Sequence, residues 1–212
     1  MERARSMPKI GAIVLAAGLS RRMGEAKQFL PLQGKPLFRH SVERAIANDL
    51  SPVLLVGGEQ TEELRRLTSD LPEVEVLDNR EYATGMASSL RVGIAAASGR
   101  VDAVLVFLAD QPYVPDEVVQ ALIRTYEDSR AEGTKIVRAF YAGIAGHPVL
   151  FDGTLMEELR LVTGDQGGKD VIVKYKAHMK TVSFDCASWN LDVDTPDDYR
   201  RIQEIDPRLH QK

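Results

Sequence analysis

Short apolar runs alternate with segments of helical periodicity along this chain, and no other feature limits its possible folds as strongly. Mostly apolar runs of strand length, as in strands buried on both faces, occupy residues 10–16, 52–56, 74–77 and 103–108. Apolar residues at helical spacing follow each run, in residues 36–47, 61–68, 88–97 and 115–132. This order predicts a three-layer α/β/α, Rossmann-like architecture with a mostly parallel sheet.

The pattern changes after residue 135. Residues 136–141 and 149–151 are predicted strands joined by the glycine-rich connection AGIAGHP, which indicates an antiparallel excursion in the C-terminal half. The remaining predicted elements are helices 155–161 and 168–175, strand 181–184 and helix 196–205. With no internal repeat or linker, we expect a single domain over residues 9–212 behind a flexible tail of residues 1–8.

Composition excludes several classes of function. The formal net charge of -4 argues against a large nucleic-acid-binding surface. Cys186 is the single cysteine, so neither an intrachain disulfide nor a cysteine-based zinc site can form. The first eight residues lack the apolar core of a signal peptide, and the longest apolar runs are too short to span a bilayer. A cytoplasmic protein without membrane or nucleic-acid partners is the expectation.

Polar clusters lie where ligands bind in open α/β sheets, beyond the carboxyl ends of strands. They are residues 18–27, 84–89, 110–112 and 192–195. One crevice could gather all of them, although they are far apart in sequence.

The first cluster has the chemistry of a phosphate-binding loop. Gly18 and Gly24 allow backbone N–H groups to approach an anion, and Arg22 and Lys27 can neutralise it, while Arg21 is a third cation of the loop. The loop is not a Walker A motif and has no GxGxxG fingerprint, which disfavours a dinucleotide site. A solvated basic loop is the alternative.

Acidic residues in two other clusters are candidate metal ligands. Asp110 ends the run VLVFLAD, and Mg²⁺ sites usually combine one or two carboxylates with substrate phosphates. Asp192 and Asp194 alternate, so on a strand they would point the same way. The alternatives are a helix N-cap or turn acid at Asp110, ahead of Pro112, and a helix cap at Asp194 or Thr195.

Six stretches in register carry a family resemblance. LAAGLSRRMG, followed by Lys27 and LPLQGKPL, resembles the signature of nucleotidyltransferases that activate phosphate compounds with a nucleoside triphosphate. GMASSLRVGI, LADQP, GHPVLF, TGDQGGKDVI and DVDTPDDY follow in the same order. The chain is most similar to the molybdenum cofactor cytidylyltransferase group of the MobA-like NTP transferase family, which has the nucleotide-diphospho-sugar transferase fold.

The resemblance implies roles residue by residue. Nucleotide-binding positions would be Leu15, Ala16, Ala17, Gly18, Arg22, Lys27, Gly85, Ser88, Ser89 and Asp110. Lys27, Arg22 and Asp110 would be the catalytic residues. Asp110 would bind Mg²⁺, or Mn²⁺ in its place, with Asp194 or Asp192 as second ligand. Acceptor-binding positions would be His147, Gly167, Gly168 and Lys169. A structural histidine and a helix-entry turn are the alternatives for His147 and the two glycines.

The implied reaction needs alignment and charge neutralisation rather than a general base. A terminal phosphate oxygen of the acceptor attacks the α-phosphate of the nucleotide, and pyrophosphate leaves. LAAG stands where the similar guanylyltransferases have LAGG, and the Cβ of Ala17 would crowd a purine, so CTP is favoured over GTP. LADQP, in place of the DAARP of methylerythritol phosphate cytidylyltransferases, favours molybdopterin or molybdenum cofactor as acceptor.

Other functions remain open at this point. A sugar phosphate or an isoprenoid precursor could replace the acceptor, and GTP, UTP or dTTP could replace the donor. A non-catalytic protein that delivers cofactor to a molybdenum hydroxylase would also retain the fold. A nicotinamide oxidoreductase is disfavoured because the dinucleotide fingerprint is missing.

Overall fold

The structure is a computed structural model that describes residues 7–18, 20 and 22–205. Most of the predicted N-terminal tail, and Arg21 of the basic loop, lie outside these residues. The described strands are β1 (Ile10–Leu15), β2 (Pro31–Leu32), β3 (Lys35–Pro36), β4 (Val53–Gly57), β5 (Val74–Asp78), β6 (Ala103–Leu108), β7 (Ile136–Tyr141), β8 (Ile144–Asp152) and β9 (Met179–Phe184). The described helices are α1 (Leu37–Ala47), α2 (Thr61–Leu67), α3 (Met86–Ala97), α4 (Asp116–Ser129), α5 (Met156–Leu159), α6 (Lys169–Lys174) and α7 (Pro196–Glu204).

One mixed sheet organises the described part of the chain. Its strands lie in the order β5-β4-β1-β6-β8-β7-β9. Strands β5, β4, β1 and β6 are parallel neighbours, whereas β8 runs antiparallel to both β6 and β7, and β9 pairs with β7 in parallel. The predicted mostly parallel sheet with an antiparallel excursion in its C-terminal half is therefore confirmed.

Each face of the sheet is covered by helices, which gives the three predicted layers. Helices α1, α2 and α4 contribute to the apolar cluster on one face, and α3, α5 and α6 to the cluster on the other. Strand β1 is buried along its whole length because both faces are covered. Close packing of α3 depends on Gly93, since a Cβ there would lie 2.5 Å from Cγ2 of Ile13.

Strand β8 begins earlier than the sequence predicts. Residues 144–148, read as part of a connection, continue the strand, and the turn contains only Ala142 and Gly143, with φ of 47° and 83°. Two successive residues of positive φ form a turn that matches the twist of a hairpin. The longer strand carries His147 into the sheet instead of leaving it at a strand start.

Two further predictions about local structure need correction. The helix predicted over residues 155–161 is α-helical only in α5, after a 3₁₀ turn. Residues 192 and 194 lie in coil, so no strand aligns them. Thr195 does cap α7, in a capping box with Asp198.

None of the described helices is both long enough and apolar enough to cross a bilayer. The single-domain boundaries and the cytoplasmic setting stay predictions.

His40 on α1 gives a prediction about stability. Its Nε2 lies 3.0 Å from the Leu32 carbonyl oxygen, and burial lowers the pKa of His40 to about 4. The unfolded chain therefore takes up a proton near pH 6.5 that the folded chain takes up only near pH 4. The stability that the neutral imidazole contributes is complete above pH 6.5 and is lost as the pH falls toward 4.

We expect His40→Gln, which keeps a donor for the Leu32 carbonyl, to remove this pH dependence. Between pH 7 and pH 4 the wild type should lose up to about 3 kcal/mol of unfolding free energy relative to the variant. Urea denaturation of both proteins across this range measures the difference. Parallel stability curves for the two proteins would contradict the prediction.

Candidate active site

A cavity of about 560 Å³, the main cavity, opens at the carboxyl ends of β1 and β6. Leu15 and Leu108, the last residues of these paired strands, are register partners and both line it. Most of the predicted nucleotide and metal residues line it too: Leu15, Ala16, Ala17, Gly18, Arg22, Lys27, Gly85, Ser89, Asp110, Asp192 and Asp194. Polar clusters that are remote in sequence thus meet in one crevice, as the strand order predicts.

Lys27 joins the two acidic segments of the main cavity. Its Nζ lies 2.5 Å from Oδ2 of Asp110 and 2.8 Å from Oδ1 of Asp194. The Lys27 and Asp110 side chains are only 13% and 19% exposed. A basic loop that merely faced solvent would not place its lysine between two half-buried carboxylates, so this geometry argues against that alternative for Lys27.

Ionisation in this cluster follows from the pairing. Burial by itself lowers the pKa of Lys27, but the charges and hydrogen bonds of Asp110 and Asp194 outweigh it and raise the pKa overall. Burial likewise favours protonation of Asp194, yet Lys27 and Arg22 together hold its pKa below the ordinary value. At neutral pH the cluster contains an ammonium ion and a carboxylate on Asp194.

Arg22 extends the positive charge toward solvent. Its guanidinium lies 2.8 Å from Oδ2 of Asp194, and its side chain is 68% exposed. An exposed ion pair of this kind contributes little to stability. Arg22 can therefore exchange Asp194 for a ligand anion at low cost, whereas Lys27 is held in place.

The donor set at this point fits a hard divalent cation. Asp110 and Asp194 converge on a single cation, the Lys27 ammonium, and Mg²⁺ or Mn²⁺ commonly uses one or two carboxylates together with substrate phosphates. Among residues 7–18, 20 and 22–205, no cluster of three or more His, Cys, Asp or Glu side chains could hold a metal ion. Any metal bound here would need oxygen ligands from the substrate or water.

Asp192 has a different environment from Asp194. It accepts a hydrogen bond of 2.7 Å from Nε2 of Gln111, and it makes no ion pair within the described residues. Burial, with the negative charge of Asp110 adding to it, raises the pKa of Asp192 to about 6. The structure therefore makes Asp194 the better candidate for the second metal ligand.

The two serines of the 84–89 cluster differ in whether they line the main cavity. Ser88 and Ser89 are both buried and both accept hydrogen bonds from the Asn79 side-chain amide, at 2.8 and 3.0 Å. Ser89 lines the main cavity, and Ser88, whose Oγ donates to the Gly85 carbonyl, does not. Ser88 therefore supports the start of α3 rather than presenting a hydroxyl to a ligand.

Glycine is required at position 85 both by the backbone conformation and by the lack of room for a side chain. Its φ of 116° lies in the region that favours glycine, and a Cβ there would lie 2.6 Å from the Gly164 carbonyl oxygen. The segment containing Gly164 and Asp165 thus packs against the start of α3, and Asp165 lines the main cavity.

The predicted acceptor residues gather around a smaller space, the β8 cavity, of about 170 Å³. His147, Gly167, Gly168 and Lys169 all line it, and it shares Leu15 and Met86 with the main cavity. The two cavities therefore adjoin. The residues that line the β8 cavity come from the sheet, from α3, from α6 and from the segment that leads into α6.

His147 is a half-buried, neutral member of this group. Its Nδ1 lies 3.3 Å from the Val106 carbonyl oxygen. Burial lowers the pKa of His147, and the nearby positive charge of Arg138 lowers it further. An imidazole that donates from Nδ1 leaves Nε2 as an acceptor, so His147 can both fix the sheet and meet a ligand.

Sequence reasoning missed several lining residues. Tyr82 and Gln28 line the main cavity, and Arg138 lines the β8 cavity, without any sequence motif to mark them. Asp165 belongs to the TGDQGGKDVI stretch, which did carry a signal. Only the strand register and the packing of the folded chain reveal Tyr82, Gln28 and Arg138 as lining residues.

Comparison with known proteins gives a family and several full-length relatives. The profile described as MobA-like NTP transferase domain matches residues 12–179. Purine catabolism protein PucB of Bacillus subtilis is 28% identical, nicotine blue oxidoreductase of Paenarthrobacter nicotinovorans 26%, and molybdenum cofactor cytidylyltransferase of Escherichia coli 25%. The alignments cover 92%, 92% and 93% of this chain and 97% of each relative.

Solved structures agree with this assignment. The crystal structure of Rv0371c from Mycobacterium tuberculosis H37Rv superposes with a TM-score of 0.78 at 30% identity, covering 93% of this chain and 98% of that one. A complex of Rv0371c with manganese gives a TM-score of 0.73 at 29% identity, covering 92% and 98%. The fold described above is thus shared by chains of almost the same extent.

Proposed function

Since this chain belongs to the MobA-like NTP transferase family, whose profile matches most of its length, we propose that it transfers a cytidylyl group from CTP. The acceptor is the terminal phosphate of a small molecule, molybdopterin or molybdenum cofactor, and pyrophosphate is the second product. The observation that carries the proposal is the convergence of Lys27, Asp110 and Asp194 at the mouth of the main cavity.

The main cavity suits a nucleoside triphosphate. Its volume of about 560 Å³ lies within the ~300–1,000 Å³ range of small-molecule sites. Backbone of residues 15–18 and the wall around Gly85 and Ser89 would hold the base and ribose. Lys27 and Arg22 would hold the phosphates at the opposite side. Ala17 is buried and lines the cavity. Its Cβ would crowd a purine base, which supports a pyrimidine nucleotide as the donor.

Transfer would depend on alignment by these residues. A phosphate monoester is already nucleophilic near neutral pH, so the site has to orient it and neutralise charge. Lys27, once released by its carboxylates toward a phosphate, would stabilise negative charge on the nucleotide, and Arg22 would add a second cation. Asp110 and Asp194 would hold Mg²⁺ or Mn²⁺, which supplies further charge neutralisation when bound.

The acceptor assignment has separate support. The E. coli relative is named molybdenum cofactor cytidylyltransferase and aligns over 93% of this chain. His147, Gly167, Gly168 and Lys169 surround the β8 cavity beside the main cavity, where an acceptor could approach the α-phosphate. A molybdenum hydroxylase would then receive the finished cofactor.

A second candidate function comes from the other relatives. The name nicotine blue oxidoreductase describes a redox enzyme, and PucB is named for purine catabolism. A redox role, or a non-catalytic role in delivering cofactor, is the alternative that these similarities favour. Neither role gives a reason for a lysine held between two carboxylates.

Thermal unfolding with CTP, GTP, UTP, ATP and NADPH, each with and without Mg²⁺, distinguishes the candidates. At about 100 times the dissociation constant a ligand stabilises by roughly 2.7 kcal/mol, which raises Tm by roughly 5–11 °C at this size. We expect the largest shift with CTP, and only with Mg²⁺. A largest shift with GTP would reassign the donor, and a largest shift with NADPH would favour the oxidoreductase.

A further inference from the structure

Arg138 is a cation at the border of a buried apolar part of the sheet. Along the register row that crosses β7, β8, β6 and β1, Arg138 lies opposite Val149, Val149 opposite Val106, and Val106 opposite Ile13. The three apolar members of this row are almost completely buried. On its other side Arg138 pairs with Thr181 of β9, which is exposed, so Arg138 lies where the buried part of this face meets its open edge.

Arg138 has no anionic partner among residues 7–18, 20 and 22–205. No carboxylate lies within 4 Å of its guanidinium, and its single hydrogen bond is a long one of 3.5 Å, from Nε to the Gly146 carbonyl. The side chain is half-buried, and burial lowers the pKa of Arg138 without any nearby charge to oppose it. Most of its N–H donors remain available, and placing an unpaired charge here costs stability.

The backbone is irregular directly after Arg138. The register of β7 against β8 shifts between Arg138 and Phe140, which marks a bulge or irregularity. Bulges of this kind are commonly found beside active sites. Arg138 itself lines the β8 cavity together with His147 and Lys169.

The β8 cavity combines an apolar floor with a basic rim. Val106, Val149 and Phe151 form part of the floor, and Arg138 and Lys169 contribute the positive charge. A volume of about 170 Å³ is below the ~300 Å³ typical of a whole ligand site, so the cavity would take one compact portion of a molecule. That portion must tolerate apolar contact and carry negative charge.

We propose that Arg138 is the specificity-determining residue of the β8 cavity. It binds an oxyanion of the acceptor, a phosphate or a carboxylate, and the ring-sized body of the acceptor rests on the apolar floor. This proposal rests on the proposed function at one point only, which is that the molecule bound in the β8 cavity is the acceptor. The β8 cavity shares Leu15 and Met86 with the main cavity, so an acceptor anion bound by Arg138 would lie beside the nucleotide site.

Binding of phenyl phosphate to the protein saturated with CTP and Mg²⁺ tests the proposal, because the nucleotide then fills the main cavity. Isothermal calorimetry should show a dissociation constant at least about tenfold higher for Arg138→Gln than for the wild type, the loss expected for a charge-assisted hydrogen bond. Arg138→Lys should retain part of the affinity. Arg124→Gln, at an exposed position on α4, is the matched control and should bind as the wild type does.

Two further ligands show which anion the β8 cavity takes and whether its apolar floor contributes to binding. Benzoate that binds as tightly as phenyl phosphate would mean that the site takes a carboxylate, and weak benzoate binding would mean that it takes a phosphate. Inorganic phosphate should bind more weakly than phenyl phosphate, because it leaves the apolar floor uncovered. Equal binding of inorganic phosphate and phenyl phosphate would overturn the role of that floor.

The proposal and the proposed function can fail separately. A Mg²⁺-dependent Tm shift with CTP that persists in Arg138→Gln shows that the variant is folded and its nucleotide site intact. If phenyl phosphate then binds Arg138→Gln as tightly as the wild type, or binds neither, the inference about Arg138 is wrong and the nucleotide assignment stands. If CTP gives no shift while phenyl phosphate binding to the nucleotide-free protein depends on Arg138, the donor assignment is wrong and the oxyanion site stands.

Discussion

The Lys27→Met variant should transfer cytidylyl groups at least about 100-fold more slowly than the wild type, the loss found when one donor to a developing negative charge is removed. Methionine keeps the length and the apolar character of the side chain but removes the cation. Lys27 is the half-buried cation of the main cavity that pairs with both Asp110 and Asp194. Pyrophosphate release with CTP, Mg²⁺ and molybdopterin measures the rate.

Stability should change along with the rate in this variant. Without the ammonium group, Asp110 and Asp194 face each other, and Asp194 retains only the exposed Arg22. We expect a loss of about 1–3 kcal/mol at pH 7, below the cost of breaking a fully buried pair because both carboxylates are partly exposed. The loss should shrink as the pH falls and the Asp194 carboxylate becomes protonated, because its lowered pKa comes from the pairing with Lys27 and Arg22.

Lys176→Met provides the control for Lys27→Met. Lys176 is exposed and makes no ion pair with the described residues, so its replacement should leave rate and stability unchanged. Transfer by Lys27→Met at the wild-type rate, with Lys176→Met behaving as expected, would show that Lys27 has a structural role only.

The Asp110→Asn variant should lose transfer almost completely at any Mg²⁺ concentration that supports the wild type. Asparagine keeps the shape and one oxygen but removes the negative charge that a hard cation needs. Because Asp110 is paired with Lys27, its neutralisation should also lower the stability of the metal-free protein. Transfer rates across a Mg²⁺ titration, together with Tm without metal, measure both effects.

Asp116→Asn is the matched control for this second variant. Asp116 also pairs with a basic side chain, Arg44, but lies on α4 outside the main cavity. Its replacement should leave the Mg²⁺ dependence of transfer unchanged. An Asp110→Asn enzyme that keeps the wild-type rate and Mg²⁺ dependence would refute the metal assignment.

Continuous apolar runs made the central sheet predictable. β6 has the predicted bounds because a strand without polar interruption cannot be confused with a loop. β7 also has the predicted bounds, although Arg138 interrupts its apolar run. β8 was predicted too short, because Gly146 and Pro148 resemble loop residues when their strand partners are unknown. The hairpin of β2 and β3 was not predicted, since strands of two residues give no periodic signal.

Motifs located the candidate site better than they described its interactions. Residues that follow strand ends could be expected to meet, since sheet order alone determines that. The pairing of Lys27 with Asp110 spans 83 residues of sequence, and only the folded structure reveals it. Because of this pairing, neutralising Asp110 is expected to lower the stability of the metal-free protein.

Arg138 shows why part of the site escapes sequence analysis. An arginine between apolar residues in a strand normally marks the solvent side of the sheet. Only the register of β7 and β8, and the helices that cover this face, reveal that it points into a cavity. No local pattern encodes that arrangement.

The reversed direction of β8 divides the site into parts that would respond differently to redesign. The nucleotide would be held mainly by loops beyond strand ends, whereas His147 and Arg138 lie inside paired strands. Loops can be exchanged without disturbing a ladder of backbone hydrogen bonds. A change of donor nucleotide should therefore be accessible by grafting loops, but a change of acceptor would require repacking the sheet itself.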